Sequence, residues 1–204
     1  MNNYVLGQRE INLSRRDILQ GEDLQALWHL KSGALRVDIL ANDGNYVFDR
    51  LVLPGDVVGI ENLVEIREHR RVRALTPSCL HQIHLSSEGQ TRDLLIDAFT
   101  RIYQRTREFV TFRTGSTDAR VRRLLIALCG PGLGDQPETA ECALPSLSDI
   151  AAIVDAAPES VCRALANLRQ NNFLQDRTAS MSKFIHLGNR PTRLHIGASL
   201  NPSV

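Results

Sequence analysis

The sequence predicts an α+β chain: a strand-rich first part, one long helix, and a small helical domain. Three observations carry this. Short apolar runs punctuated by turn signals fill residues 1–90, a helical period takes over across 91–113, and residues 146–174 hold two short helices around a tight turn. The 204 residues suffice for two modest domains with cores of their own.

The strands come first. Ile18-Leu19-Gln20-Gly21-Glu22-Asp23 reads as strand into turn. Leu27-Trp28-His29-Leu30, a Ser32-Gly33 turn and Ala34-Leu35-Arg36-Val37-Asp38-Ile39-Leu40 read as strand, turn, strand. Asn42-Asp43-Gly44 is a hairpin signal. Val47 to Leu53 follows, closed by Pro54-Gly55-Asp56, and Val72 to Thr76 and Leu80 to Leu85 give two more strands. Many short strands with regular turns predict a β-sandwich or jelly roll.

From residue 91 the spacing becomes helical. Leu95, Ile102 and Phe109 recur every seven residues, with Ala98, Phe99 and Phe112 beside them. Such a seam suits pairing with a second copy of the chain; packing against its own domain is the competing reading. Thr114-Gly115-Ser116 breaks the helix, and Ser116 caps another through Asp118, Val121, Leu124, Leu125 and Leu128. Residues 130–134, Gly-Pro-Gly-Leu-Gly, form a loop. The domain boundaries read from this are 1–90, 91–114 and 115–204.

The stretch from Ser146 is the most specific. Ser146 caps a helix, with Asp149 placed for a capping box, and Ile150, Ile153 and Val154 share one face. Asp155-Ala156-Ala157 is the turn, where Asp tolerates positive φ. Pro158 suits the first position of the next helix, and Val161, Leu165 and Leu168 face the first one. Glu159, Arg163 and Asn167 are left on one outward stripe. This is the build of a helix-turn-helix whose second helix enters a DNA major groove. The bland alternative is a solvated face, since Glu159 and Arg163 are also a favourable i,i+4 pair. Lys183-Phe184-Ile185-His186-Leu187 reads as the strand of a β-hairpin wing. The tail, 198–204, reads as loose.

Composition excludes little: 43% of residues are hydrophobic and 23% charged, and the net charge is +1, so no global basic field announces nucleic acid. No apolar run reaches a membrane span, and the N-terminus lacks the apolar core of a secretory signal, so a cytoplasmic protein is expected. Cys79, Cys129, Cys142 and Cys162 are scattered, which fits reduced thiols and predicts neither cofactor nor metal.

In order and spacing, these parts resemble the bacterial regulators typified by the cyclic-AMP receptor protein and the fumarate–nitrate reductase regulator. The resemblance spans about residues 13–187. It rests on Leu19-Gln20-Gly21-Glu22, Ser32-Gly33-Ala34-Leu35-Arg36-Val37, Leu53-Pro54-Gly55-Asp56-Val57-Val58-Gly59, Asp118-Ala119-Arg120-Val121 and Pro158-Glu159-Ser160-Val161-Cys162-Arg163. It implies an N-terminal β-roll (a jelly roll like the cyclic-nucleotide-binding domains), a long dimerisation helix and a C-terminal winged helix-turn-helix. It also implies a homodimer on a near-palindromic promoter site, with RNA polymerase as a further partner. Glu159 and Arg163 match the base-reading pair, and Ser146 and Ser160 match phosphate-contacting positions. Asn167 and Lys183 complete the expected DNA-contacting set. Pro158 stands where some members carry a third reading residue, and Cys162 where relatives have a small one.

The chain departs from the family's cyclic-nucleotide pattern. Gly59 is followed by Ile60, with Glu61 one place late, and the phosphate-holding Arg and Ser positions fall on Glu68 and His69. A carboxylate there repels a cyclic phosphate, so no cyclic-AMP binding is expected. Arg67, Arg70 and Arg71 lie nearby, and a solvated charged loop is the simpler reading. An iron–sulfur switch lacks its cysteine cluster, the first cysteine being Cys79. A haem ligand could come only from His29, His81, His84 or Cys79. The effector is left open. Two other classes compete with a regulator. One is a metal-dependent jelly-roll enzyme built on His29, His81 and His84, which lacks a His-x-His motif with a following carboxylate. The other is a small-molecule-binding β-domain acting through protein contacts.

Overall fold

A computed structural model describes residues 5–64, 69–129, 139–176 and 183–186. Arg67, Glu68, the 130–134 loop, Leu187 and the 198–204 tail lie outside the described residues.

The first part is a roll of two antiparallel sheets. Its elements are β1 (Val5–Leu13), a four-residue helix α1 (Glu22–Gln25), β2 (Trp28–Ser32), β3 (Leu35–Leu40), β4 (Tyr46–Val52), β5 (Val57–Val58), β6 (Arg70–Ala74) and β7 (Ser78–His84). One sheet has the order β1-β7-β2-β5, the other β4-β3-β6. Trp28, Leu30, Leu35, Val37, Val52, Val72 and Leu80 are buried between them. Each such leucine or valine contributes about 1.5–3 kcal/mol by leaving water. Trp28 keeps its polar end satisfied, its indole Nε1 donating to the Asp23 carbonyl at 2.7 Å. β1 was not foreseen, and α1 replaces the turn expected after Leu19.

Alternation along β3 sends Leu35 and Val37 into the roll and Arg36 and Asp38 to the other face. There Arg36 meets Asp149 of the helical part and Asp38 is enclosed by Arg36 and Arg71, so both charges are buried.

The long helix α2 spans Glu88–Phe112. It begins before Thr91 because the Ser87 hydroxyl accepts from the Gln90 N–H at 3.2 Å, capping the first turn. At 25 residues it extends about 37 Å. Gly115 then reverses the chain with φ 90°. α3 (Thr117–Leu128) follows, capped by Ser116 as expected. Next come β8 (Thr139–Cys142), α4 (Leu147–Val154), α5 (Pro158–Gln170), β9 (Leu174–Asp176) and β10 (Lys183–His186), the strands forming an antiparallel sheet of order β8-β10-β9.

The two parts share one core. Ala34, Leu51, Leu53 and Leu75 of the roll pack in a single cluster with Phe112, Val121, Leu124, Ile150, Ile153, Val161 and Leu165. Among the described residues, no helix is long and apolar enough to cross a membrane.

Most of the residues expected to form a self-pairing seam are taken up inside the chain. Ala98 and Phe112 are buried in the chain's own core, and Leu95 and Phe109 pack against its own clusters. Phe109 stacks on Phe48 of β4 at 5.4 Å between ring centres. Only Phe99 and Ile102 of the six expected residues are exposed. The unpartnered apolar row is instead Ile96 (60% exposed), Phe99 (71%), Tyr103 (59%) and Val110 (56%), one residue round the helix.

Candidate nucleic-acid interface

α4 and α5 make the helix-turn-helix. Ser146 Oγ accepts from the Asp149 N–H at 3.2 Å, the expected N-cap. α4 ends at Asp155, whose φ of 52° and ψ of 61° put it in the left-handed region, as its place in the turn predicts. Arg120 of α3 locks the turn: Nη1 donates to the Val154 carbonyl at 3.2 Å and the Asp155 carbonyl at 3.0 Å. These are C-terminal carbonyls without partners inside α4, so a guanidinium there satisfies both hydrogen bonding and the helix dipole.

α5 starts at Pro158 with no side-chain cap. Val161, Ala164, Leu165 and Leu168 are buried. Glu159, Cys162, Arg163 and Asn167 are exposed, and Ser160 is half-buried. Glu159 and Arg163 therefore protrude together from one side of the first turns, as the spacing predicts. They are not paired with each other; Arg163 Nη2 donates to Ser160 Oγ at 3.2 Å. A guanidinium held by one neutral hydroxyl keeps most of its donors for a ligand.

Two expected contact residues have other partners. Asn167 Nδ2 donates to Asp118 Oδ2 at 2.9 Å, tying α5 to α3. Ser146 Oγ donates to Asp149 Oδ2 at 2.6 Å besides capping α4, so both functions of that hydroxyl are engaged inside the fold. Lys183 opens β10, which pairs antiparallel with β9; its side chain lies outside the described part.

Asp149 was read as half of a capping box. Its carboxylate does not turn back to the Ser146 backbone. It is buried against the roll, accepting from Arg36 Nη1 at 3.0 Å and from Arg73 Nη2. Arg36 also donates to Asp38, which Arg71 Nη2 reaches at 2.9 Å. Burial alone raises the Asp149 carboxyl, but Arg73, Ser146 and Arg36 outweigh it and hold it below the ordinary value. The first helix of the helix-turn-helix is thus clamped to the roll by charge. Sequence spacing could not show this, because the partners lie 113 and 76 positions away.

A cavity of about 420 Å³ lies between the roll and α2. It is lined by Arg50, Arg101 and Arg105 against Asp49, Asp56, Glu61 and Glu108, besides apolar groups. Asp56, in the expected Pro-Gly-Asp turn, accepts from the Leu53 N–H at 2.8 Å and from Arg105 Nε at 2.9 Å, so the turn holds the helix. Glu61 is bound by Arg50 Nη2 at 2.6 Å and Arg70 Nη1 at 2.8 Å. Burial works against its charge, yet the two arginines win and its carboxyl is held low. His69 is exposed.

No protein-family model matches the sequence. The transcriptional regulator LdrP of Thermus thermophilus is 27% identical over 160 residues, covering 76% of this chain and 81% of its own. The crystal structure of a CRP-family transcriptional regulator from Thermus thermophilus superposes with a TM-score of 0.64 at 25% identity, covering 87% of this chain and 92% of that one. FixK2 from Bradyrhizobium japonicum gives 0.61 at 19% identity over 88% of this chain and 93% of its own, a likeness of fold. These agree with the order of roll, long helix and helix-turn-helix in the structure. In sequence and in fold the chain is similar to transcriptional regulators of the CRP/FNR family.

Proposed function

We propose that the chain is a homodimeric, sequence-specific DNA-binding regulator that reads a near-palindromic site with α5. The carrying observation is the joint protrusion of Glu159 and Arg163 from the start of a helix whose opposite face is buried. Arg163 reads guanine through O6 and N7, and Glu159 accepts from cytosine N4. Ser160, and Lys183 on the wing strand, contact the backbone. Two copies would present their helices to successive major grooves about 34 Å apart. Pairing runs along Ile96, Phe99, Tyr103 and Val110, whose spacing of three, four and seven is that of a two-stranded helix seam.

The chain acts without cyclic AMP. The cavity carries four carboxylates against three guanidiniums, and every one of those guanidiniums has a carboxylate within 3.1 Å. A phosphate entering it would displace existing pairs and meet net negative charge. An enzymatic reading has no support in the relatives, which are transcriptional regulators. RNA polymerase is the expected partner at a promoter.

The test is selection of bound DNA from a random pool, then titration of the selected site with Arg163→Ala. Loss of about 1–3 kcal/mol with relaxed preference at one half-site position supports the reading. Unchanged affinity and footprint would remove Arg163 as a base reader.

A further inference from the structure

We propose that Glu10, Cys79 and His81 form a zinc site on the outer face of the four-stranded sheet. β1 and β7 pair antiparallel with Glu10 opposite His81 and Asn12 opposite Cys79. Cys79 and His81 are two apart on one strand and so project from the same face. One carboxylate oxygen, the thiol sulfur and one imidazole nitrogen all lie within 4.8 Å of one another. Tetrahedral zinc with bonds of about 2.0–2.3 Å needs ligand atoms about 3.3–3.8 Å apart, below the 4.8 Å limit and reached when the 2.7 Å contact of His81 with Glu10 opens by about 0.6 Å.

Two of the groups are already in direct contact. His81 Nε2 is shielded from solvent and sits 2.7 Å from Glu10 Oε2, so the imidazole and the carboxylate are already brought together. Asn12 Nδ2 donates to the other Glu10 oxygen at 3.3 Å, which orients the carboxylate. The competing cations are His81 itself when protonated, 2.7 Å from Glu10, and Lys31, exposed and 4.0 Å away, a contact of little strength.

The donor set selects the metal. Sulfur, nitrogen and oxygen together suit borderline-soft Zn²⁺, whereas Mg²⁺ and Ca²⁺ take oxygen alone. Thiolate and carboxylate balance the two positive charges, and three protein ligands leave a fourth position for water. On binding, the S–H bond breaks, the S–Zn bond forms, and the proton leaves to solvent. The expectation of a metal-free chain rested on the scattered cysteines. Here a single thiol is completed by a strand that the spacing did not reveal.

The experiment is titration of reduced, metal-free full-length protein with Co²⁺, then competition with Zn²⁺. The expected spectrum has tetrahedral visible bands and a thiolate-to-cobalt charge-transfer band, displaced by zinc. Cys79→Ser removes the charge-transfer band while Cys162→Ser leaves it. Glu10→Gln, at an exposed position that tolerates change, weakens binding at least about tenfold, the lower end for losing even an outer-shell partner. An octahedral spectrum, a charge-transfer band that survives Cys79→Ser, or affinity unaltered in Glu10→Gln would overturn the site.

Discussion

Replacing Asp149 by alanine should separate the stability of the two halves of the molecule. The carboxylate is 3% exposed and stands between Arg36 and Arg73. Removing one member of a buried ionic group costs about 3–5 kcal/mol, mostly by leaving the other charge without compensation. Arg36 keeps Asp38, and the Arg73 side chain is 18% exposed and partly hydrated, so the expected loss is at the low end, about 3 kcal/mol. Asp149→Asn preserves shape and loses a charged hydrogen bond, about 2 kcal/mol.

Urea unfolding reads both variants. The single tryptophan, Trp28, is fully buried in the roll and reports that half by fluorescence, while far-ultraviolet ellipticity follows the helices. In the wild type the two transitions should coincide; in Asp149→Ala the helical signal should fall first. Because the folded carboxyl is held below its ordinary value, its contribution is complete above about pH 4 and is lost as pH falls through the lower folded value. The gap between wild type and Asp149→Asn therefore closes only in acid below that point. Coincident transitions in Asp149→Ala, with stability within about 0.5 kcal/mol of wild type, would refute the clamp.

Three more outcomes follow from the same geometry. Phe99→Asp and Tyr103→Asp should convert dimers to monomers in sedimentation velocity with the roll intact, whereas a dimer surviving both would place the interface elsewhere. Asp155→Val should cost about 1–2 kcal/mol in thermal unfolding, because a branched residue resists the left-handed turn, while Asp155→Gly should be nearly neutral. Calorimetry should show no cyclic-AMP binding at micromolar concentration, and measurable heat with one-to-one stoichiometry would contradict the charge argument.

What the chain reveals by itself follows the range of the interactions. The caps at Ser116 and Ser146, the Asp155 turn and the buried stripe of α5 are set by neighbours within a turn or two, and all were legible. β1 was not: Gly7, Gln8, Arg9 and Glu10 give it no apolar run, and it is held by pairing with β7, far along the chain. The exposed apolar row on α2 lies one residue round from the expected seam because the helix is apolar on two sides. Periodicity finds both faces but cannot say which meets the roll. Asp149 shows the same limit, since a residue three after a capping serine has an ordinary local role until distant arginines claim it. The stripe of Glu159 and Arg163 was readable because protrusion is a local property; what touches it is not.

The common cluster around Ala34, Leu51, Leu53 and Leu75 bears on anyone wishing to re-target the DNA reading proposed above. A recognition module grafted from a cousin will not seat unless its underside complements those four side chains. Conversely, a fragment severed after the long helix would leave that greasy underside open to water and prone to clumping. Grafts should therefore be confined to the outward stripe of α5, where the host's interior has no vote.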